Sequence, residues 1–230
     1  GGVQDVFTYT ITDGDGDTAN AELTINIADA TPTADVPTAG GASTTVYEAG
    51  LPGGSDSIAD RATTSGTIEF TSADGVLAVS LGGNALTTVD QVFATTGPDG
   101  SLTARYEYDA ATGGGVIHYS YTLEETTVGD DTSASFPVVI TDQDNDSLSA
   151  SNLLITIVDD QPRAVNDQGT VTEGDSLSVN ATDGVLGNDN AGADGWNGTG
   201  AVVGVAAGDT GATSATGVAT VINGLYGTLT

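Results

Sequence analysis

The sequence predicts an all-β protein built from antiparallel β-sandwich modules in tandem, and three observations support this prediction. Apolar and polar residues alternate over short runs, and no segment has a helical period. Clusters of Gly, Asp, Asn and Pro separate these runs at short intervals, as turns do in antiparallel sandwiches. One strand–turn–strand stretch also occurs twice, about 130 positions apart, which indicates a repeated module.

The alternating runs locate the strands along the chain. In the first run, Phe7, Tyr9 and Ile11 share one face of a strand, and the threonines beside them take the other face. The later runs show the same period of two, so each is predicted to be a strand. These further candidates are residues 23–27, 44–48, 66–71, 76–81, 102–108, 116–123, 136–141 and 152–158.

The repeated stretch gives the clearest information about organisation. FTYTITDGDGD begins at Phe7 and FPVVITDQDND begins at Phe136, an offset of 129 positions. The strands that follow, LTINIADATP and LLITIVDDQP, are offset by 130 positions, so one residue has been inserted in the polar stretch between them. A self-match at this spacing predicts a tandem array. We therefore expect this chain to begin inside a repeat and to be part of a longer array.

Two prolines mark the predicted module boundaries, because proline cannot continue a β-ladder and forces the residue before it into extended geometry. They are Pro32 and Pro162, one after each copy of the closing strand. Residues 1–32 are then the C-terminal strand pair of a split sandwich, and residues 33–162 are one complete sandwich. Residues 163–230 are the N-terminal part of a further module of the type that ends at 1–32.

Composition restricts the classes of function. The chain has 32 acidic residues against 3 basic ones, all arginine, for a formal net charge of -29. This charge repels nucleic acid and anionic membranes, and no apolar run is long enough to span a bilayer. Without cysteine, the chain forms no disulfides, and bound metal is the alternative stabiliser for a small extracellular β-module. A solvated acidic surface suited to saline surroundings remains a simpler explanation of the charge.

The repeated turn carries alternating aspartates that are suited to a hard cation. Ca²⁺ takes six to eight oxygen ligands from carboxylates, carbonyls and water. The motif D-x-D-x-D supplies Asp13, Asp15 and Asp17 in the first copy, and Asp142, Asp144 and Asp146 in the second. These loops are not EF-hands, because their sixth and twelfth positions lack the required glycine and glutamate. The alternative is that the aspartates only form Asx-turns in a hairpin.

Several motifs resemble the repeat regions of bacterial RTX adhesins, which are exported by type I secretion. LPGGSD at 51–56, ITDQDND and IVDDQP resemble the long type I secretion repeats, over residues 33–162. VTEGDSLSVNATDGVLGNDNAGADG and the later GLYGTLT resemble the start of a cadherin-like VCBS repeat, and residues 5–25 resemble its closing strand pair. The resemblance implies Ig-like or cadherin-like sandwiches, with the two ends of this chain as halves of one domain type.

The same resemblance implies Ca²⁺ at the module junctions. In cadherin-like arrays an acidic linker and a glutamate from the next module's first strand close around the ion. The matching residues here are Asp29, Asp35 and Glu48 at the first junction, and Asp159, Asp160, Asp167 and Glu173 at the second. Asp189 lies in a further oxygen-rich loop with Asp183, Asn188 and Asp194, for which a plain solvated loop is an equal alternative. Bound Ca²⁺ is expected to freeze each hinge.

These features predict a structural role without catalysis. The expected function is a spacer module of a large bacterial adhesin at the cell surface, stiffened by Ca²⁺ and supporting cell adhesion and biofilm formation. Its expected partners are neighbouring repeats of the same chain, and the two split halves are expected to pair head-to-tail between molecules. No small-molecule substrate is expected, because the single His118 lies on a polar strand face and no nucleophile elbow is present. The alternative is a Ca²⁺-dependent carbohydrate-binding module, with Trp196 beside Asp194 as its aromatic platform.

Overall fold

The computed structural model describes residues 2–56, 59–95, 100–180, 183–198, 200–208 and 214–230. Within these ranges the fold is all-β, with antiparallel sheets and two short 3-10 helices, so the predicted fold class is confirmed. No helix in the same ranges is long and apolar enough to cross a membrane.

The strands follow the predicted runs closely where the sequence alternates. They are β1 (Val3–Thr12), β2 (Thr18–Ile27), β3 (Thr33–Asp35), β4 (Thr45–Tyr47), β5 (Thr63–Thr71), β6 (Val76–Leu81), β7 (Asn84–Ala85), β8 (Gln91–Ala94), β9 (Gly100–Asp109), β10 (Gly114–Leu123), β11 (Asp131–Phe136), β12 (Val138–Asp142), β13 (Ser147–Ser149), β14 (Leu153–Val158), β15 (Ile222–Asn223) and β16 (Thr228–Leu229). The 3-10 helices are Glu48–Gly50 and Ala59–Ala62.

The chain forms two compact units. The first contains Gly1–Thr45, Thr64–Thr122 and Ser133–Thr156, and the second contains Val46–Thr63, Leu123–Thr132 and Ile157–Thr230. The first unit therefore includes residues on both sides of Pro32, and the second includes residues on both sides of Pro162.

The sheets bury the apolar faces that the alternation predicts. One sheet has the order β3-β5-β10-β9-β8, a second has the order β13-β12-β6-β7, and a third has the order β11-β14-β4. In β10, Ile117, Tyr119, Tyr121 and Leu123 are all at most 3% exposed, while the residues between them are only half-buried. The Tyr121 ring lies 5.6 Å from the ring of Phe136 at the end of β11, which places both rings in one core.

The strands of the second hairpin copy change sheets halfway along their length. Pro137 separates β11 from β12, and residues 150–152 separate β13 from β14, so β12 joins the four-stranded sheet and β14 the three-stranded one. Proline has no N–H to donate, which interrupts the ladder at this point. The residue that shifts the offset from 129 to 130 lies between Asp146 and Leu153, in the copy whose two strands are each interrupted.

The first hairpin copy has no such break. Thr8 stands where Pro137 stands in the second copy, and β1 and β2 pair without interruption from Val3 opposite Ile27 to Thr12 opposite Thr18. Every residue of both strands is exposed.

The region after Pro162 holds few strands. Among its described residues, the regular pairing is confined to β15 with β16 and to a single bridge between Arg163 and Asn190. Its alternating apolar residues stay exposed, with Val171 and Leu177 each at 53%.

Candidate cation sites

The two D-x-D-x-D turns have the same backbone geometry. In the second copy the amide of Asp142 donates to the carbonyl of Asp146 over 3.0 Å, and in the first copy Asp13 donates to Asp17 over 3.0 Å. The turns use a left-handed residue at the same position, Asn145 with φ 76° and Gly16 with φ 100°. Glycine and asparagine tolerate this conformation better than other residues, so the sequence positions the carboxylates in the same way twice.

Asp142 is the buried member of the second turn. Its side chain is 0% exposed, and its Oδ1 accepts the N–H of Asp146 over 2.8 Å. Its Oδ2 is buried and has no hydrogen-bond partner. A buried carboxylate oxygen without a donor is costly unless a cation or another donor compensates its charge.

Further carboxylates gather beside Asp142 in the first unit. Asp29, Asp74 and Asp144 each place one oxygen within 4.8 Å of the others. A side-chain hydrogen bond with Asp142 raises the pKa of Asp144, with burial as the next cause. The side chain of Asp29 raises the pKa of Asp146. These five aspartates form what we call the first acidic site.

The first acidic site borders an open cavity of about 340 Å³. Asp29, Asp74 and Asp144 line it together with the ends of the β1–β2 hairpin and the side chain of Gln143. Asp74 lies in the turn from Ser72 to Gly75, between β5 and β6, and its sequence context is an ordinary turn. Sequence reasoning missed this residue because only the fold brings that turn to Asp144.

Glu48 is the buried member of a second group. It opens a 3-10 helix directly after β4 and is 0% exposed. Its Oε1 accepts both the N–H and the hydroxyl of Thr127, each over 2.6 Å. Its Oε2, like Oδ2 of Asp142, is buried without a partner.

Two aspartates complete this group in the second unit. Glu48, Asp159 and Asp194 each place one oxygen within 4.8 Å of the others, and we call them the second acidic site. Burial raises the pKa of Asp159, and the charges of Asp130 and Asp194 raise it further. Three carboxylates at this separation repel each other unless a cation or protons neutralise them.

Asp160 has a different role from its neighbour Asp159. It is 6% exposed, and its Oδ2 accepts the N–H of Ser55 over 2.7 Å and the N–H of Ala193 over 2.9 Å. Its Oδ1 accepts the hydroxyl of Ser55. Both oxygens of Asp160 already accept hydrogen bonds, so Asp160 anchors the loop that carries Asp194. Asp159 is the residue of this pair that joins the second acidic site.

The two acidic sites are related by the sequence repeat. Asp29 and Asp159 are 130 positions apart, and each follows the closing strand of its copy. Asp29 lies near Asp74 and Asp144 in the first unit, and Asp159 lies near Glu48 and Asp194 in the second. The first acidic site also contains the fully buried Asp142, and the second contains the fully buried Glu48. The structure thus groups Glu48 with Asp159, whereas the sequence grouped it with Asp29 and Asp35.

Asp35 lies in a separate place. It is on β3 opposite Glu69 of β5. Together with Glu107 and Asp109 these residues line an open groove of about 670 Å³.

The turn of the first copy carries three exposed candidates. Asp13, Asp15 and Asp17 place one oxygen each within 4.8 Å of the others, and all three are exposed. Oδ1 of Asp13 accepts the N–H groups of Gly16 and Asp17 over 3.0 and 2.9 Å. A side-chain hydrogen bond with Asp15 lowers the pKa of Asp13, and the amide of Asp17 lowers it further. This is the geometry of an Asx-turn, which the sequence analysis gave as the alternative to a cation site.

The remaining candidates lie after Pro162 and do not converge. Asp189 accepts the N–H of Val165 over 2.7 Å. Asp167 is exposed, and Glu173 is exposed in the turn between Thr172 and Asp175. Among the residues that the structure describes, none of these three belongs to a group of three acids.

The chemistry of both acidic sites fits a hard divalent cation. Their ligands are carboxylate oxygens, which Ca²⁺ and Mg²⁺ prefer, while the chain has one histidine and no cysteine for softer metals. No protein-family model, curated protein or solved structure matches this chain.

Proposed function

We propose that this chain is a Ca²⁺-stiffened spacer module of a large secreted bacterial adhesin. One observation carries the proposal: two fully buried carboxylates, Glu48 and Asp142, each leave one oxygen without a partner beside other acids. A bound cation compensates these oxygens and the repulsion around them. The adhesin identity rests on the sequence resemblance to RTX repeat regions, and so does the location at the bacterial cell surface.

Ca²⁺ suits these sites better than Mg²⁺. Ca²⁺ accepts six to eight oxygens in irregular geometry, whereas Mg²⁺ requires a near-ideal octahedron and gives up its water reluctantly. The first acidic site offers five carboxylates beside an open cavity, where water can complete the coordination. The proposed ligands are Asp29, Asp74, Asp142, Asp144 and Asp146 at the first acidic site, and Glu48, Asp159 and Asp194 at the second.

The positions of the ligands support a mechanical role. In the second acidic site, Glu48, Asp159 and Asp194 come from segments far apart in sequence. An ion shared by these segments ties them together, and its loss returns them to mutual repulsion. Asp29 and Asp159 each lie three positions before one of the two prolines that mark the predicted module boundaries. Ca²⁺ is therefore placed to limit motion where one repeat passes to the next, and the proposed function involves no catalysis.

Thermal unfolding combined with small-angle X-ray scattering tests this proposal. Millimolar Ca²⁺ is expected to raise the melting temperature of the chain and to make the particle longer and stiffer, by preferential binding to the folded state. Mg²⁺ and NaCl at matched ionic strength are the controls and are expected to act weakly. Equal effects of Ca²⁺, Mg²⁺ and NaCl mean that the acids form only a solvated surface, and the spacer proposal then fails.

One observation favours the alternative, a Ca²⁺-dependent carbohydrate-binding module. Trp196 is the single tryptophan of the chain, is 42% exposed, and lies two positions after Asp194 of the second acidic site. A sugar can bind by stacking on an indole while its hydroxyls bind Ca²⁺. A glycan array probed with and without Ca²⁺ separates the two functions, and Trp196→Ala should abolish any sugar binding while leaving Ca²⁺ binding unchanged.

A further inference from the structure

Each acidic site contains one aspartate that is followed by glycine. Asp74 precedes Gly75 in the first acidic site, and Asp194 precedes Gly195 in the second. The other aspartates of the two sites are followed by larger residues, namely Ala30, Gln143, Asn145, Ser147 and Asp160. Asp-Gly is the dipeptide most prone to isomerise, because glycine has no side chain to shield its backbone nitrogen. The two sites therefore share a chemically reactive step.

Both of these aspartates lie exposed in turns that hold the glycine nitrogen weakly. The N–H of Gly75 donates to the carbonyl of Ser72 over 3.3 Å. The N–H of Gly195 donates to the carbonyl of Gly192 over 3.2 Å. Both distances are longer than the usual N–H···O bond, so little energy is needed to release either nitrogen. Water also reaches both side chains.

We infer that Asp74 and Asp194 are modification sites that form isoaspartate when Ca²⁺ is removed and are protected when it is bound. This inference rests on the proposed Ca²⁺ sites. The glycine nitrogen attacks Cγ of the aspartate and forms a C–N bond. One carboxyl oxygen leaves as water, with the proton of that nitrogen and one from solvent. Water then opens the succinimide ring at the backbone carbonyl, which breaks the original peptide bond and leaves the chain joined through the side chain.

A bound cation blocks the first step of this reaction. Asp74 places one oxygen within 4.8 Å of oxygens of Asp29 and Asp144, and Asp194 meets two acids of its own site in the same way. An ion shared by such a group holds the oxygen that must leave and fixes Cγ away from the turn's own backbone. Without the ion, the carboxylates repel each other and the side chain is released toward that backbone.

The modification removes the ligand for good. Isoaspartate adds one carbon to the backbone and leaves the free carboxylate attached directly to Cα. The turns have no room for a longer backbone, because Gly75 and Gly195 already close them with φ values of 92° and 72°. The carboxylate then no longer points into its acidic site. A chain that has been deprived of Ca²⁺ for a long time therefore cannot regain its full Ca²⁺ response.

Peptide mapping after incubation of the full chain tests this inference. The chain is kept for several weeks at neutral pH in chelator, in Ca²⁺ or in Mg²⁺, and is then unfolded and digested. Endoproteinase Asp-N cleaves before aspartate but not before isoaspartate, so the missed cleavage at each position measures its conversion. Asp183, which is exposed, precedes Gly184 and lies outside both acidic sites, is the internal reference.

Ca²⁺ should slow the conversion of Asp74 and Asp194 and leave Asp183 unchanged. If only the Ca²⁺-free form reacts, 10 mM Ca²⁺ and a Kd on the order of 10⁻⁴–10⁻³ M slow it by about 10- to 100-fold. In Ca²⁺, Asp142→Asn should restore the fast conversion of Asp74 alone, and Glu48→Gln that of Asp194 alone. Each variant is the matched control of the other, and its protected site shows that it still folds.

The outcomes separate this inference from the proposed function. Equal conversion of Asp74 and Asp194 in chelator and in Ca²⁺, in a chain that binds Ca²⁺ by calorimetry, overturns the inference and leaves the proposed function standing. Protection of Asp183 to the same extent also overturns it, since Ca²⁺ then acts only by stabilising the whole fold. A chain that binds no Ca²⁺ overturns both.

Discussion

Replacing Glu48 by glutamine changes the second acidic site with little change of shape. The amide oxygen of glutamine can still accept the N–H and hydroxyl of Thr127, which Oε1 of Glu48 now accepts over 2.6 Å. The amide NH₂ replaces the buried, unpartnered Oε2 and can donate to Asp159 or Asp194. The variant therefore removes one charge and one candidate Ca²⁺ ligand while keeping the hydrogen bonds of Glu48.

Glu48→Gln is expected to raise the melting temperature without Ca²⁺ and to reduce the rise in melting temperature that Ca²⁺ gives. Two like charges at 4.8 Å, the upper limit of the oxygen separations in this site, repel by about 0.9 kcal/mol in a water-like medium and by about 3.5 kcal/mol at an effective dielectric constant of 20. Glu48 faces two such charges, and Asp194 is exposed, so screening keeps the total repulsion at about 2 kcal/mol. In a chelator, Glu48→Gln should raise the melting temperature by about 4–8 °C.

With Ca²⁺ the melting temperature of the wild type should rise more than that of the variant. At 10 mM Ca²⁺ and a Kd on the order of 10⁻⁴–10⁻³ M, ligand linkage gives about 1.4–2.7 kcal/mol, or about 3–11 °C. Glu48→Gln loses a charged ligand and should show less than half of this rise. The fluorescence of Trp196, the single tryptophan and a member of the second unit, is the readout.

Glu22→Gln is the matched control, because it removes the same charge from an exposed position on β2. It should leave both the melting temperature in chelator and the response to Ca²⁺ unchanged. The reasoning is refuted if Glu48→Gln lowers the melting temperature in chelator and keeps the full response to Ca²⁺, since Glu48 is then only a structural hydrogen-bond acceptor.

Three other substitutions probe the same account. Asp159→Asn removes a carboxyl whose pKa is raised in the folded state, so its ionised form destabilises that state above this pKa. In chelator the variant should therefore melt above the wild type at pH 7, with a difference that shrinks as the pH falls toward 3.8, the ordinary pKa of aspartate. Asp160→Ala leaves the N–H groups of Ser55 and Ala193 without their acceptor, and it should cost about 1–3 kcal/mol in urea unfolding with or without Ca²⁺. Gly115→Ala places a Cβ against the Phe70 ring and should cost about 1–3 kcal/mol in the same assay.

The strands could be predicted from the sequence because burial on one face imposes a period of two. The run 76–81 matches β6 at both ends, and the runs at 102–108 and 116–123 lie inside β9 and β10. Short edge strands such as β7, with two residues, carry too little alternation to be recognised. The switch of sheets at Pro137 could not be predicted either, because it depends on which strands lie beside β12 and β14.

The acidic sites were only partly predictable for a related reason. Spacing alone identified Asp142, Asp144 and Asp146, since alternate residues of one turn meet locally. Asp74 and Asp194 join their sites through the fold: the local sequence gives no sign of Asp74, and it places Asp194 only in a separate oxygen-rich loop. Asp159 and Asp160 were predicted as equivalent ligands, yet consecutive residues of an extended chain point to opposite sides. Asp159 therefore faces Glu48 and Asp194, and Asp160 faces backbone N–H groups.

Calorimetric titration with Ca²⁺ tests the central claim most directly, namely that the two buried carboxylates are Ca²⁺ ligands. The wild type should bind Ca²⁺ with a Kd on the order of 10⁻⁴–10⁻³ M. The double variant Glu48→Gln/Asp142→Asn should lose most of the binding heat, while the charge-matched control Glu22→Gln/Asp5→Asn should keep it. A wild type that gives no Ca²⁺-specific heat, or a double variant that binds as the wild type does, contradicts the claim.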